Sequence, residues 1–111
     1  MAIVIDARLL VQDFINALNA EDFAAARACL DDNMQFTGVL GSREGADNYI
    51  NDMSRMKFKY DIKKIFADDS DVCLWYDINM GDKTVLTAGW YQVRQARITS
   101  LRVLFDPRPV L

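Results

Sequence analysis

Helical periodicity in the first half of the chain and hairpin-linked alternation in the second predict an α+β fold. Three helices from the N-terminal half cover one face of an antiparallel sheet. Apolar residues recur at helical spacing as far as Met56. From Lys57 onward they fall in extended runs broken by the turn signals Asp68–Asp71 and Gly81–Asp82. The 111 residues carry no linker or repeat, so 1–111 is read as a single domain.

Asp6 to Asn19 reads as the first helix. Leu9, Leu10, Phe14, Ala17 and Leu18 form its apolar stripe, and Asp6 supplies an N-cap. Ala20–Glu21–Asp22 restarts the chain, and Phe23 to Leu30 is a short alanine-rich helix. Met34 to Thr37 is a strand ending at Gly38. Ser42 to Met56 reads as a third helix with Ala46, Tyr49, Ile50, Met53 and Met56 on its apolar face. Strands follow at Lys57–Phe66, Val72–Met80, Lys83–Val93 and Arg97–Phe105, and Pro107 and Pro109 end the regular structure.

Composition excludes several chemistries. No histidine is present, which removes imidazole acid–base catalysis, histidine-activated nucleophiles and histidine metal ligation. Acid–base work falls to Asp, Glu, Tyr, Lys or Cys. The turn acids Asp31, Asp32, Asp68, Asp69 and Asp71 lack the spacing of a metal site, so no metal and no cofactor is expected. Net charge is −3, and Lys57 and Lys59 alternate with Phe58 and Tyr60 as on a solvated strand face. Nucleic acid is therefore not an expected partner. Met1 to Asp6 is too short and acidic for a signal peptide, and no apolar run approaches the ~20 residues that span a bilayer. The expected location is cytoplasmic, away from membranes. Cys29 and Cys73 sit in apolar settings and read as buried, reduced thiols.

The strands Val72–Met80 and Lys83–Val93 are apolar on both parities, unlike a sheet with one wet face. Helices bury one face. The outer face, read as Leu74, Tyr76, Ile78, Val85, Tyr91 and Val93, is expected to pair with a second copy in a homodimer.

The order of elements and three motifs resemble the nuclear transport factor 2-like superfamily, in its SnoaL-like and ketosteroid isomerase-like branch. Phe14, Ala17, Leu18, Asn19, Ala20 and Asp22 match an F-x-x-A-L-N-A-x-D opening. Arg43, Glu44 and Tyr49 hold the places of a G-R-E-A-I-x-x-F helix, and Tyr91 to Asp106 resembles the closing hairpin, with Gln95–Ala96 at its turn. The resemblance implies that the sheet curves into a cone, that the helices pack on its concave face, and that an apolar pocket lies inside. It also implies an Asp base, a Tyr donor and a protonated Asp donor in the isomerases. Those positions fall here on Phe14, Gly38 and Trp90, so the isomerase machinery is absent in its known form.

With Trp90 facing the cone, strand parity brings Ala88, Trp75 and Asp77 inward as well. The expected ligand-binding set is Phe14, Leu18, Phe36, Tyr49, Met53, Met56, Trp75, Asp77, Ala88, Trp90, Val103 and Phe105. Asp77 is the candidate acid or base, raised by burial, and Tyr49 the candidate hydrogen-bond donor. The leading expectation is a protein that binds a small apolar molecule, polycyclic or carbonyl-containing. Two other readings stay open: an isomerase, cyclase or hydratase using Asp77, and a structural or partner-binding dimer with a filled interior.

Overall fold

The computed structural model describes residues 6–111; the reading of the N-terminal stretch before Asp6 lies outside them. Helix α1 (Ala7–Asn19) begins as expected, with Asp6 accepting from the Arg8 amide at 2.9 Å. Its buried stripe is Val11, Phe14, Ile15 and Leu18; of the expected stripe Leu9 instead faces solvent and Leu10 and Ala17 are half-buried, because the face centred on Phe14 and Leu18 runs through Val11 and Ile15. Asp22 caps α2 (Phe23–Ala28) through the Ala25 amide. The Asn and Asp of the A-L-N-A-x-D motif thus have different tasks. The Asn19 amide donates to the Tyr60 carbonyl at 2.9 Å and accepts from the Tyr60 N–H at 2.7 Å, which docks the end of α1 on an edge strand. Arg27 then ties α2 to its surroundings, donating to Asp47, Asp32 and the Leu30 carbonyl.

Strand β1 (Leu30–Thr37) runs longer than expected. It is followed by a short β2 (Ser42–Glu44) where the sequence suggested the opening of a helix; α3 spans only Ala46–Met56. The Gly38 N–H donates to the Gly41 carbonyl at 2.8 Å and closes this hairpin. Then come β3 (Lys59–Asp68), β4 (Asp71–Asn79), β5 (Thr84–Arg94) and β6 (Arg97–Phe105), followed by a 3₁₀ turn at Arg108–Val110. The sheet is open, in the order β2-β1-β6-β5-β4-β3, with every neighbouring pair antiparallel except β1 and β6. All three helices lie on one face. The β5–β6 turn does without glycine, and Gln95 and Ala96 both adopt left-handed conformations.

Which face of β4 and β5 meets the helices is the opposite of the sequence-based expectation. Val72, Leu74, Tyr76 and Ile78 point inward, with Val85, Thr87, Gly89, Tyr91 and Val93 beside them. Trp75, Asp77, Leu86, Ala88 and Trp90 point outward. The reason is polar burial. The other parity of β4 is Asp71, Cys73, Trp75, Asp77 and Asn79, and turning it inward would strand two carboxylates and an amide in an apolar interior. On β6 an extra residue at Thr99 shifts the register, so Ile98, Leu101 and Val103 all reach the core.

Gly89 makes this packing possible. A Cβ there would lie 2.5 Å from the Tyr76 hydroxyl oxygen and 3.0 Å from a Tyr91 ring carbon. A glycine inside a strand marks such a close approach. Gly89→Ala is expected to cost about 1–3 kcal/mol by overpacking, measured by urea unfolding. In a Tyr76→Phe background the same change should cost less, because the clashing oxygen is gone. An equal cost in both backgrounds would show that the hydroxyl does not occupy this space.

Candidate functional site: a tyrosine-lined pocket between helices and sheet

Between α3, the inner face of the sheet and the β1–β2 hairpin lies a cavity of about 570 Å³. That volume falls in the usual range of ~300–1,000 Å³ for small-molecule sites. Leu18, Met53, Phe58, Ile78, Val103 and Phe105 give it apolar walls. All four tyrosines of the chain, Tyr49, Tyr60, Tyr76 and Tyr91, line it.

The aromatic rings form one connected wall. Phe36 and Tyr49 have centroids 5.2 Å apart, and Phe14 joins Tyr49 at 6.4 Å to Tyr91 at 6.3 Å. Tyr60 and Tyr76 lie 5.4 Å apart, and the Tyr76 and Tyr91 hydroxyls share a hydrogen bond of 2.9 Å. The Tyr60 hydroxyl donates to the Met53 sulfur at 3.6 Å, a weak bond. The Tyr49 hydroxyl makes no hydrogen bond among the described residues. In the Tyr76–Tyr91 pair only one of the two protons is used, so the second remains to be donated.

Burial holds these phenols neutral. It raises Tyr49 and Tyr91 well above the ordinary value, with the neighbouring tyrosines adding to the effect. Burial likewise raises Tyr60, and it pushes Tyr76 up to about 12 despite the opposing hydrogen bond with Tyr91. The pocket interior is therefore an uncharged surface that carries hydroxyl donors.

Among the described residues, charge lines the cavity only at the mouth. Arg43 on β2 grips Asp52 on α3 through two bonds, 2.7 and 3.0 Å, and Arg55 adds a third at 2.9 Å. Hydrogen bonding to Arg43 above all keeps the Asp52 carboxyl below its ordinary range. Val39, Leu40 and Met56 are exposed apolar residues around the same opening.

Of the expected set, Leu18, Phe36, Tyr49, Met53, Met56, Val103 and Phe105 line the cavity. Phe14 does not; it is wholly buried behind Tyr49 and Tyr91. Trp75, Asp77, Ala88 and Trp90 lie on the opposite face of the sheet for the parity reason above. Asp77 there is only partly buried, with Lys63 at 3.6 Å, so it cannot serve as the buried base of this pocket. The inward residue beside Trp90 is Tyr91, and Gly38 has no room for an acid, since a Cβ there would meet the Phe36 ring at 2.9 Å. Cys29 and Cys73 are free but half-buried rather than fully buried, Cys73 on the outer face. Tyr60, Tyr76 and Tyr91 line the cavity outside the expected set. The signal for them was the acid content of the competing parity of β4. Among the described residues no cluster of three potential metal ligands occurs, and no helix is long and apolar enough to cross a membrane.

Residues 11–101 match the model of the SnoaL-like domain. The chain belongs to the SnoaL-like family. Its fold is accordingly that of nuclear transport factor 2-like proteins. An NTF2-like protein of unknown function from Cytophaga hutchinsonii is 51% identical over 99% of this chain and 98% of its own, with a TM-score of 0.94. An LEH-like epoxide hydrolase from M. tuberculosis is 29% identical, covering 92% of this chain and 84% of that one, TM-score 0.81. A ketosteroid isomerase-like protein from Kribbella flavida shares the fold at 12% identity, TM-score 0.84, over 90% of this chain and 77% of that one. No protein of curated function matches this SnoaL-like chain.

The raised tyrosines make stability fall in alkali. Below pH 10 the four hydroxyls are protonated in both folded and unfolded chains and contribute their full stability. Above it the unfolded chain releases protons that the folded chain retains, so stability is lost as pH rises toward and past the folded values, about 12 for Tyr76. Each buried phenol adds up to about 1.4 kcal/mol per pH unit. Absorbance at 295 nm should rise only as circular dichroism reports unfolding. Ionisation of several tyrosines near pH 10 in a folded chain would contradict the burial.

Proposed function

We propose that this SnoaL-like protein binds a neutral, largely apolar molecule bearing an oxygen acceptor, a carbonyl compound being the simplest case. The observation that carries the reading is the pairing of an uncharged apolar cavity with unspent tyrosine protons at Tyr49 and in the Tyr76–Tyr91 pair. An apolar body gains from burial at roughly 25 cal/mol per Å², and an acceptor oxygen satisfies the Tyr49 hydroxyl. A charged head inside would lose its hydration with no counter-ion.

The binding reading is favoured over isomerase, cyclase or hydratase chemistry because the cavity lacks a group set for proton transfer. Asp52 is the only carboxylate among the described residues lining it, and two arginines hold it at the mouth. The tyrosines are too weakly acidic in this setting to act as bases near neutrality.

Calorimetry with a soluble bicyclic ketone and with its hydrocarbon counterpart tests this. Tyr49→Phe should weaken ketone binding about 3- to 10-fold, the worth of one hydrogen bond, and leave the hydrocarbon unaffected. Asp77→Asn should change neither affinity. Equal losses for both ligands, or tighter binding of the matching carboxylic acid than of the ketone, would overturn the proposal.

A further inference from the structure

The rim of the pocket carries more positive charge than fastening it requires. Arg43 and Arg55 both donate to one carboxylate, Asp52, and two cations against one anion give the cluster a net charge of +1 within a chain whose net charge is −3. Glu44, next along β2, points to the other side of that strand and does not line the cavity. Asp47 is engaged by Arg27, and Asp106 by Arg108. Within the cluster the carboxylate is the sheltered member: its side chain is 17% exposed, against 48% for Arg43 and 67% for Arg55. A guanidinium has five N–H donors in a planar fork. Asp52 occupies the Nε–Nη2 edge of Arg43, at 2.7 and 3.0 Å. The Nη1–Nη2 edge has no partner among the described residues, and Arg43 lines the cavity mouth. Such an edge can grip a second carboxylate through two parallel N–H···O bonds.

We infer that the pocket takes an oxo acid, with the carbonyl oxygen at Tyr49, the apolar body along α3 and a carboxylate at the mouth against the free edge of Arg43. The inference rests on the binding reading above and adds to it. The part of the ligand inside the cavity is neutral, and the anionic group stays at the half-exposed rim, where water and a counter-ion both reach it. The helix sets the order of these groups. Tyr49, Met53 and Met56 recur at helical spacing along the lining face of α3, and they pass from buried to exposed, at 4%, 8% and 44%. From Tyr49 to Met56 the helix rises ~10 Å. A molecule that reaches Tyr49 with one end therefore presents its other end at the rim, where β2 closes on α3 through Arg43. Charge selects the kind of anion. A carboxylate matches the single excess positive charge, whereas a phosphate monoester, at roughly −1.5 to −2, overshoots it. The negative charge of the rest of the chain is screened beyond ~8 Å at physiological ionic strength.

Calorimetry at low ionic strength with three ligands of one bicyclic frame tests this. They are a ketone, the same ketone with a carboxylate added at the end remote from the carbonyl, and the same ketone with an ammonium added there. The keto acid should bind about 5- to 10-fold more tightly than the ketone, between the worth of an exposed ion pair and that of a charged hydrogen bond. The keto amine should bind more weakly than the ketone. The advantage of the keto acid should vanish in ~1 M salt, where the Debye length is ~3 Å. Arg43→Gln, shown to be folded by circular dichroism, should remove that advantage. Asp52→Asn keeps the shape, frees both arginines and should enlarge it. A purely fastening role for the pair predicts instead that both variants weaken every ligand alike, and that result would overturn the inference. Equal affinities of keto acid and ketone, with the ketone still answering to Tyr49→Phe, would also overturn it and leave the binding reading standing. Failure of all three ligands to bind would overturn the binding reading itself, and this inference with it.

Discussion

Asp71, Asp77 and Asn79 share one face of β4, and keeping them out of the apolar interior fixes which way the two central strands turn, so that inside the sheet the hydroxyls of Tyr76 and Tyr91 meet at 2.9 Å over the bare backbone of Gly89. Strand side chains alternate, so one decision governs the whole strand. With Tyr76 inward, Leu74 and Ile78 are in the core, and Trp75 and Asp77 are outside. With Tyr91 inward, Trp90 is outside. The result is a division of the aromatic residues by type: every tyrosine lines the cavity and both tryptophans lie on the far face. The pocket's chemistry is a consequence of this parity.

The pocket owes its character to what is left unpaired. Buried polar groups are normally satisfied by the protein itself. Here the Tyr76–Tyr91 pair satisfies one acceptor and leaves a proton over, and the Tyr49 hydroxyl has no partner among the described residues. Desolvation keeps these protons in place across the physiological range. The Arg43–Asp52–Arg55 cluster fastens β2 to α3 at the opening, so the charges that line the site among the described residues, Arg43 and Asp52, also hold its rim together. Binding a neutral acceptor molecule calls for donors without charge, and that is what the interior provides.

Much of the fold was legible in the sequence. The existence of α1, its cap at Asp6 and the hairpins of the second half rest on local signals that tertiary structure did not override, whereas the stripe itself is turned: Phe14 and Leu18 are buried as expected, but Leu9 is exposed and Val11 and Ile15 are buried in its place. So was half of the site: Leu18, Tyr49 and Met53 fall on helical faces whose direction periodicity determines. On the strands, Phe36 of β1 and Val103 and Phe105 of β6 were legible too, but the contributions of β4 and β5 were not. Both parities of β4 and β5 hold aromatic residues, so hydrophobicity alone leaves the choice of face open. Placing tryptophan in the interior puts Asp77 on the wrong side. Counting polar groups decides it, since Asp71, Asp77 and Asn79 share the tryptophan parity while the tyrosine parity has no charge. Two features lay beyond local pattern altogether. The β2 strand is too short to show a period, and the bulge at Thr99 exists only through pairing with Gln92 on β5.

Fluorine NMR on protein labelled with fluorotyrosine and fluorotryptophan tests the central claim, that tyrosines face the ligand and tryptophans face away, most directly. On titration with a bicyclic ketone, the fluorotyrosine resonances should shift in a saturable way and the fluorotryptophan resonances should stay in place. Saturable shifts at the tryptophans with unmoved tyrosines would put the ligand on the outer face and reverse the parity on which the account rests.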